Sequence, residues 1–216
     1  RDYYASRGLG DVYKRQLQTM APKKVTAMML DKAVAFLQRE FKEEVARAKR
    51  EKHTIYIGTA HLNYLYIRAL LNQPADETTR LLTKLALKQA PTATMDFKAM
   101  LAVVLEKTGD KKEAKTLRES LKEHTVSTPA FGRYFDTQRT RFSSQWYRIP
   151  AQVATIEALR ASGNAADEKV ADEMRLWLMQ SKRTQMWQAG RTSADAVYAL
   201  LATDNDRQPV MSLNTS

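Results

Sequence analysis

The sequence predicts an all-α protein of antiparallel helical hairpins in two layers, and three observations carry that reading. Ala, Leu, Lys, Glu and Arg are abundant, while 216 residues hold only 7 Gly and 6 Pro, fewer turn-formers than a strand-rich chain needs. Apolar residues recur at spacings of three and four, the period of one helix face. Apolar helical stretches also alternate with charged ones, as they do where inner helices pack together and outer ones face water.

Residues 1–16, RDYYASRGLGDVYKRQ, lie outside this pattern. They have no apolar period and resemble the translated read-through of sequencing adapters, so the chain is expected to be a fragment with an artefactual or disordered head. The Gly8-x-Gly10 pair there has neither the preceding strand nor the later glycine of a phosphate loop. The helical body is expected over 17–205.

The first helix is predicted from Pro22 to about Lys52, where Leu30, Val34, Leu37, Phe41 and Val45 form one stripe. A second, from about Thr59 to Leu71, carries Leu62, Leu65, Tyr66, Ala69 and Leu70, and Asn72 to Pro74 break it. Pro74 suits the first turn of a third helix that runs to Gln89 with Leu81, Leu82, Leu85 and Leu87, and Pro91 ends it. Met95 to Lys107 is apolar nearly all round, through Phe97, Met100, Leu101, Val103, Val104 and Leu105, which places it mid-layer. Gly109 is its expected C-terminal cap. Asp110 is read as the N-cap of a charged outer helix, Lys111 to Glu123, with Ala114, Leu117 and Leu121 inward.

The run from Arg133 to Arg148 differs. Arg133, Arg139, Arg141 and Arg148 face only Asp136 as counter-charge and are interleaved with Tyr134, Phe135, Phe142, Trp146 and Tyr147, with Phe131 just before. Such a mixture can stack single-stranded nucleic acid; the favoured reading is an ordered loop tucked over a helical core. An inner helix, Ile149 to Ala161, follows with Val153, Ile156 and Leu159 inward and Gly163 as its stop. Its outer partner, Ala165 to about Ser181, has Asp167 and Glu168 at the positive end of its dipole and Lys182 and Arg183 at the negative end. Val170, Met174, Trp177 and Leu178 are its expected buried stripe.

Trp187 to Leu201, WQAGRTSADAVYALL, supplies an aromatic anchor, a turn at Gly190, a helix start at Thr192 and Ser193, and a final inner helix. Trp146 to Leu159 contains the same parts in the same order, 41 residues upstream, with Trp146 matching Trp187 and Leu159 matching Leu200. A spacing near 40 suits helical hairpins that bury their apolar faces only by stacking. The tail 206–216 leaves helix, and Pro209 to Leu213 alternate as a strand would at the start of a following β domain.

Several chemistries are disfavoured. The absence of cysteine removes disulfides, thiolate metal sites and cysteine nucleophiles. No run approaches the roughly 18 to 20 apolar residues of a membrane helix. The net charge of +11 is mostly interleaved with acids, as on solvated helix faces, so nucleic acid is not the expected partner. His53, His61 and His124 are widely separated, Ser143, Ser144 and Ser193 have no evident base, and Asp204-Asn205-Asp206 reads as a turn. Glu157, on a candidate inner helix, is the one carboxylate whose role stays open between polar edge, contact with the aromatic loop and catalysis. No cofactor is expected.

WLMQSKRTQMWQAGRTSADAVYALL, YRIPAQVATIEAL and LDKAVAFLQREF resemble the closing part of the helical toroid of bacterial alpha-2-macroglobulins of the Bacteroidetes type, a likeness running from about Met28 to Leu213. The resemblance implies an alpha/alpha toroid in a non-enzymatic protease trap of the periplasm or cell envelope. Its partners would be neighbouring macroglobulin-like domains of the same polypeptide and the captured proteases. The family's Cys-Gly-Glu-Gln thioester run has no match here, so no thioester residue is carried over. The alternative is a helical-repeat scaffold that binds proteins on its concave face. A toroid lacking its first hairpins would expose inner-helix surface such as that of Met95 to Leu105.

Overall fold

The computed structural model describes residues 23–136, 140, 148–184, 193, 196, 197, 199 and 200. Its elements are helix α1 (Lys23–Glu51), α2 (Thr59–Leu70), α3 (Glu77–Gln89), a 3-10 turn (Ala90–Thr92), α4 (Met95–Thr108), α5 (Lys111–Glu123), strands β1 (Thr125–Thr128) and β2 (Gly132–Phe135), α6 (Arg148–Arg160) and α7 (Ala165–Thr184). Among the described residues the fold is all-α apart from one small hairpin.

Composition sorts the helices into layers. α4 has apolar residues on every side, and it lies between α2 and α6, with α5 along its outer side. Leu101, Val103, Val104, Leu105, Ala99 and Ala102 are all essentially inaccessible to water. Each large apolar side chain buried in this way contributes about 1.5–3 kcal/mol. α2, α4 and α6 thus form an inner row, while α3, α5 and α7 follow them as the charged members of each pair, and α1 lies against α2 and α3. The exposed apolar surface expected on Met95 to Leu105 is not found, because α2 and α6 flank that helix on both sides.

Two apolar clusters result. One joins Val34, Phe41 and Val45 of α1 to Leu62, Leu65, Leu82, Leu101 and Leu105. The other joins Met95 and Ala99 to Phe135, Ile156, Leu159, Met174, Trp177 and Leu178. α4 contributes to both. Ser193, Ala196, Val197, Ala199 and Leu200 are helical, and Ala196, Ala199 and Leu200 join the second cluster.

Three local expectations are corrected. α3 begins at Glu77, not Pro74: the Asp76 carboxylate accepts from the Thr79 N–H at 2.8 Å, so a side-chain cap sets the start and Pro74 stays in the connector. The α-helix α3 stops at Gln89 as expected, with Pro91 in the 3-10 turn that follows. Gly109 does cap α4, at φ +96°, but the Asp110 side chain makes no capping bond to α5. Finally, the Arg133 to Arg148 stretch expected to be loop begins within the second strand of a β-hairpin that starts at Thr125. β1 and β2 pair antiparallel, Thr125 opposite Phe135 and Thr128 opposite Gly132, and β2 packs on α7.

Candidate functional site

The basic and aromatic stretch is where sequence placed a possible contact surface, and β2 and α6 bring part of it together. Strand alternation turns Phe135 into the second cluster, where it is fully buried, and sends Tyr134 towards Trp177, the ring centroids 6.1 Å apart. Arg148, at the start of α6, lies over both rings, 4.8 Å from the Trp177 centroid and 6.0 Å from that of Tyr134. Its guanidinium is a cation–π partner. Burial holds the Arg148 pKa below its ordinary value, against an opposing pull from Tyr134.

Arg133 is also engaged within the chain. Its Nε donates to the Glu173 carboxylate of α7 at 2.8 Å and its Nη1 to the Thr125 hydroxyl at 3.0 Å. Ser127 donates to the same carboxylate, so both strands are tied to α7 through one residue. Gln152, nearly inaccessible, completes the join: its amide donates to the carbonyls of Arg133 at 2.7 Å and Met174 at 3.2 Å. Gly132 fits at φ +72° against the α7 backbone, where any Cβ would overlap the Glu173 carbonyl. This arrangement clamps a hairpin to two helices. Arg139 and Arg141 lie outside the described residues, as do the anchors Trp146, Trp187 and Thr192, and Ser143, Ser144, Asp204, Asn205 and Asp206. Leu159 is fully buried, and the Leu200 carbonyl accepts from Arg175 of α7 at 2.5 Å.

Glu157 accepts a hydrogen bond from the Tyr66 hydroxyl of α2. The two helices both lean on α4, so this bond reaches from the first inner helix to the third. Neither the polar edge nor the aromatic loop had suggested Tyr66, which periodicity places simply on an apolar stripe.

Two further polar groups were not legible as pairs. Arg118 and Lys122 of α5 meet Asp167 of α7 at 3.2 and 2.9 Å, and Arg118 Nη1 lies 2.7 Å from Glu106 of α4; the Arg118 Nε contact is an ion pair without hydrogen-bond alignment. Burial raises the Asp167 pKa, but hydrogen bonds from Lys122 and Ser162 and the charges of Lys122 and Arg118 outweigh it and leave the group below its ordinary value. Lys98 of α4 is buried with its Nζ 3.4 Å from Ser120 Oγ, and burial lowers its pKa against the opposing charge of Glu123.

No family model matches this chain, and no curated protein or solved structure matches it. Chemistry therefore rests on the described residues. Among them no group of three or more His, Asp or Glu side chains could hold a metal ion, and no helix is long and apolar enough to cross a membrane. A cleft of about 260 Å³ lies at the ends of α2 and α4, lined by Ala69, Asn72, Gln73, Pro74, Ala75, Lys107 and Thr108.

Proposed function

We propose that this chain is a helical toroid module of an alpha-2-macroglobulin-like protease-trapping inhibitor, acting in the periplasm or cell envelope and doing no chemistry of its own. The reading rests on the sequence likeness from about Met28 to Leu213. The observation that favours it is the row α2–α4–α6 backed by α3, α5 and α7, the layering a toroid needs. The Tyr66–Glu157 bond adds to it, because it ties the first and third members of the row together. Its partners would be neighbouring macroglobulin-like domains and the caught protease.

The test uses the longest reading frame that encodes the chain. Mixed with a broad-specificity protease, a trap blocks digestion of a large protein while leaving cleavage of a short peptide intact, because it excludes by size. Equal activity on both substrates, or an upstream sequence with neither sandwich domains nor a bait-like segment, overturns the reading. A helical-repeat scaffold for protein ligands has the same layers; it would bind its ligand without any protease cut.

A further inference from the structure

His61, in the first turn of α2, uses both ring nitrogens. The Gly58 backbone N–H donates to Nδ1 at 3.2 Å, and Nε2 lies 2.9 Å from the Glu44 carboxylate of α1. A nitrogen that accepts an N–H carries a lone pair, so the proton of the neutral ring sits on Nε2 and is given to Glu44. The ring rests against Phe41 with centroids 4.5 Å apart, and only 9% of His61 is exposed, which limits substitution by water. Gly58 is the N-cap of α2 and has no side chain to cap with, so His61 supplies the reciprocal half of a capping box alone.

The geometry points to a proton-operated latch: neutral His61 ties the first turn of α2 to α1, and proton uptake at Nδ1 releases the Gly58 N–H and loosens the entry of α2 at Gly58. The cationic ring keeps Glu44 as an ion-pair partner, but its new Nδ1–H faces another donor, and two donors cannot bond. Beyond Gly58 the connector is held by Gln89, whose amide accepts from Ile57 N at 2.7 Å and donates to Ile57 O at 3.3 Å. Loosening is therefore confined to Gly58 and the first turn of α2, because Ile57 stays pinned by Gln89 and both Ile55 and Ile57 are buried in the core.

Other charged groups around the ring are turned elsewhere. On α1, Glu40 lies beside Arg39, Arg47 is exposed, and Glu51 meets His53 of the connector. On α2, Arg68 turns to Asp76; on α3, Glu77 meets Lys49 while Arg80, Lys84 and Lys88 are exposed. On α4, Lys98 turns to Ser120 and Glu106 to Arg118. Glu44 is the carboxylate that meets the ring.

The test uses the full chain between about pH 8 and pH 5, the range in which imidazoles change charge. Nitrogen NMR at the upper end should show the proton on Nε2. Protection of the Gly58 amide against hydrogen exchange, corrected for intrinsic rate, should fall roughly two- to tenfold on acidification, the size of one lost hydrogen bond. His61→Gln retains an acceptor at the same helix position without titrating, and should keep Gly58 protected at both ends. An Nδ1-protonated neutral ring, pH-independent protection in the parent chain, or an undiminished pH effect in His61→Gln would each overturn the latch.

Discussion

Asp167 shows how much a single residue carries. Its carboxylate is 7% exposed and faces Lys122 and Arg118, so Asp167→Ala leaves buried Arg118 with Glu106 and half-buried Lys122 with Glu119 as remaining partners and should cost about 1–3 kcal/mol in urea unfolding at neutral pH. Because its folded pKa lies below the unfolded one, the pairing is fully stabilising above about pH 4 and is lost as pH falls through the folded value; the gap between parent and Asp167→Ala should close on acidification. Lys98 has the opposite sign. Burial holds its folded pKa down, so keeping it charged costs stability, and Lys98→Met should be neutral or stabilising by on the order of 1 kcal/mol in the same assay at neutral pH. Sequence showed Asp167 as a favourable charge at a helix start, which it is. Its partners on α5, about one hairpin away along the chain, could not be read, since periodicity names a face and not what lies opposite.

Among the elements, helices were legible and the hairpin was not. α4 and α5 were plain because thirteen or fourteen residues sample several turns of a repeating stripe. Thr125–Thr128 and Gly132–Phe135 give four residues each, too few for alternation to stand out, and the cluster of arginines and aromatics around them masks it further. Two of those arginines do serve the core, Arg133 through Glu173 and Arg148 through Trp177, consistent with a segment tucked over helices. Gly132 is the critical point. Gly132→Ala adds a Cβ at positive φ and drives it into the α7 backbone, with Leu176 Cβ 3.0 Å and Trp177 N 3.2 Å away. We expect a loss of roughly 2–4 kcal/mol by thermal unfolding, with Trp177 becoming more solvent-exposed in its emission. An unchanged midpoint would mean the hairpin contributes little to holding α6 and α7.

Across the molecule, the two apolar clusters share α4 as a common wall. Trp146, Trp177 and Trp187 all belong to the later half, whereas Leu105 lies in the earlier cluster. Leu105→Ala should cost about 2–5 kcal/mol. If the wall couples the clusters, tryptophan emission and helical dichroism will fall together in one shifted transition; an unshifted emission transition would show that the halves unfold separately. The two-layer order was readable from alternating apolar and charged helices. The sideways order of the row was not, because no local pattern says which inner helix neighbours which. Tyr66 and Glu157 give that row a gauge. Any event that spreads or tightens the three inner helices must lengthen, shorten or break a phenol–carboxylate bond, and a phenol's near-ultraviolet absorption responds to the acceptor it meets. The difference spectrum between the parent chain and Tyr66→Phe would therefore read the contact between the first and third inner helices optically, with no label added.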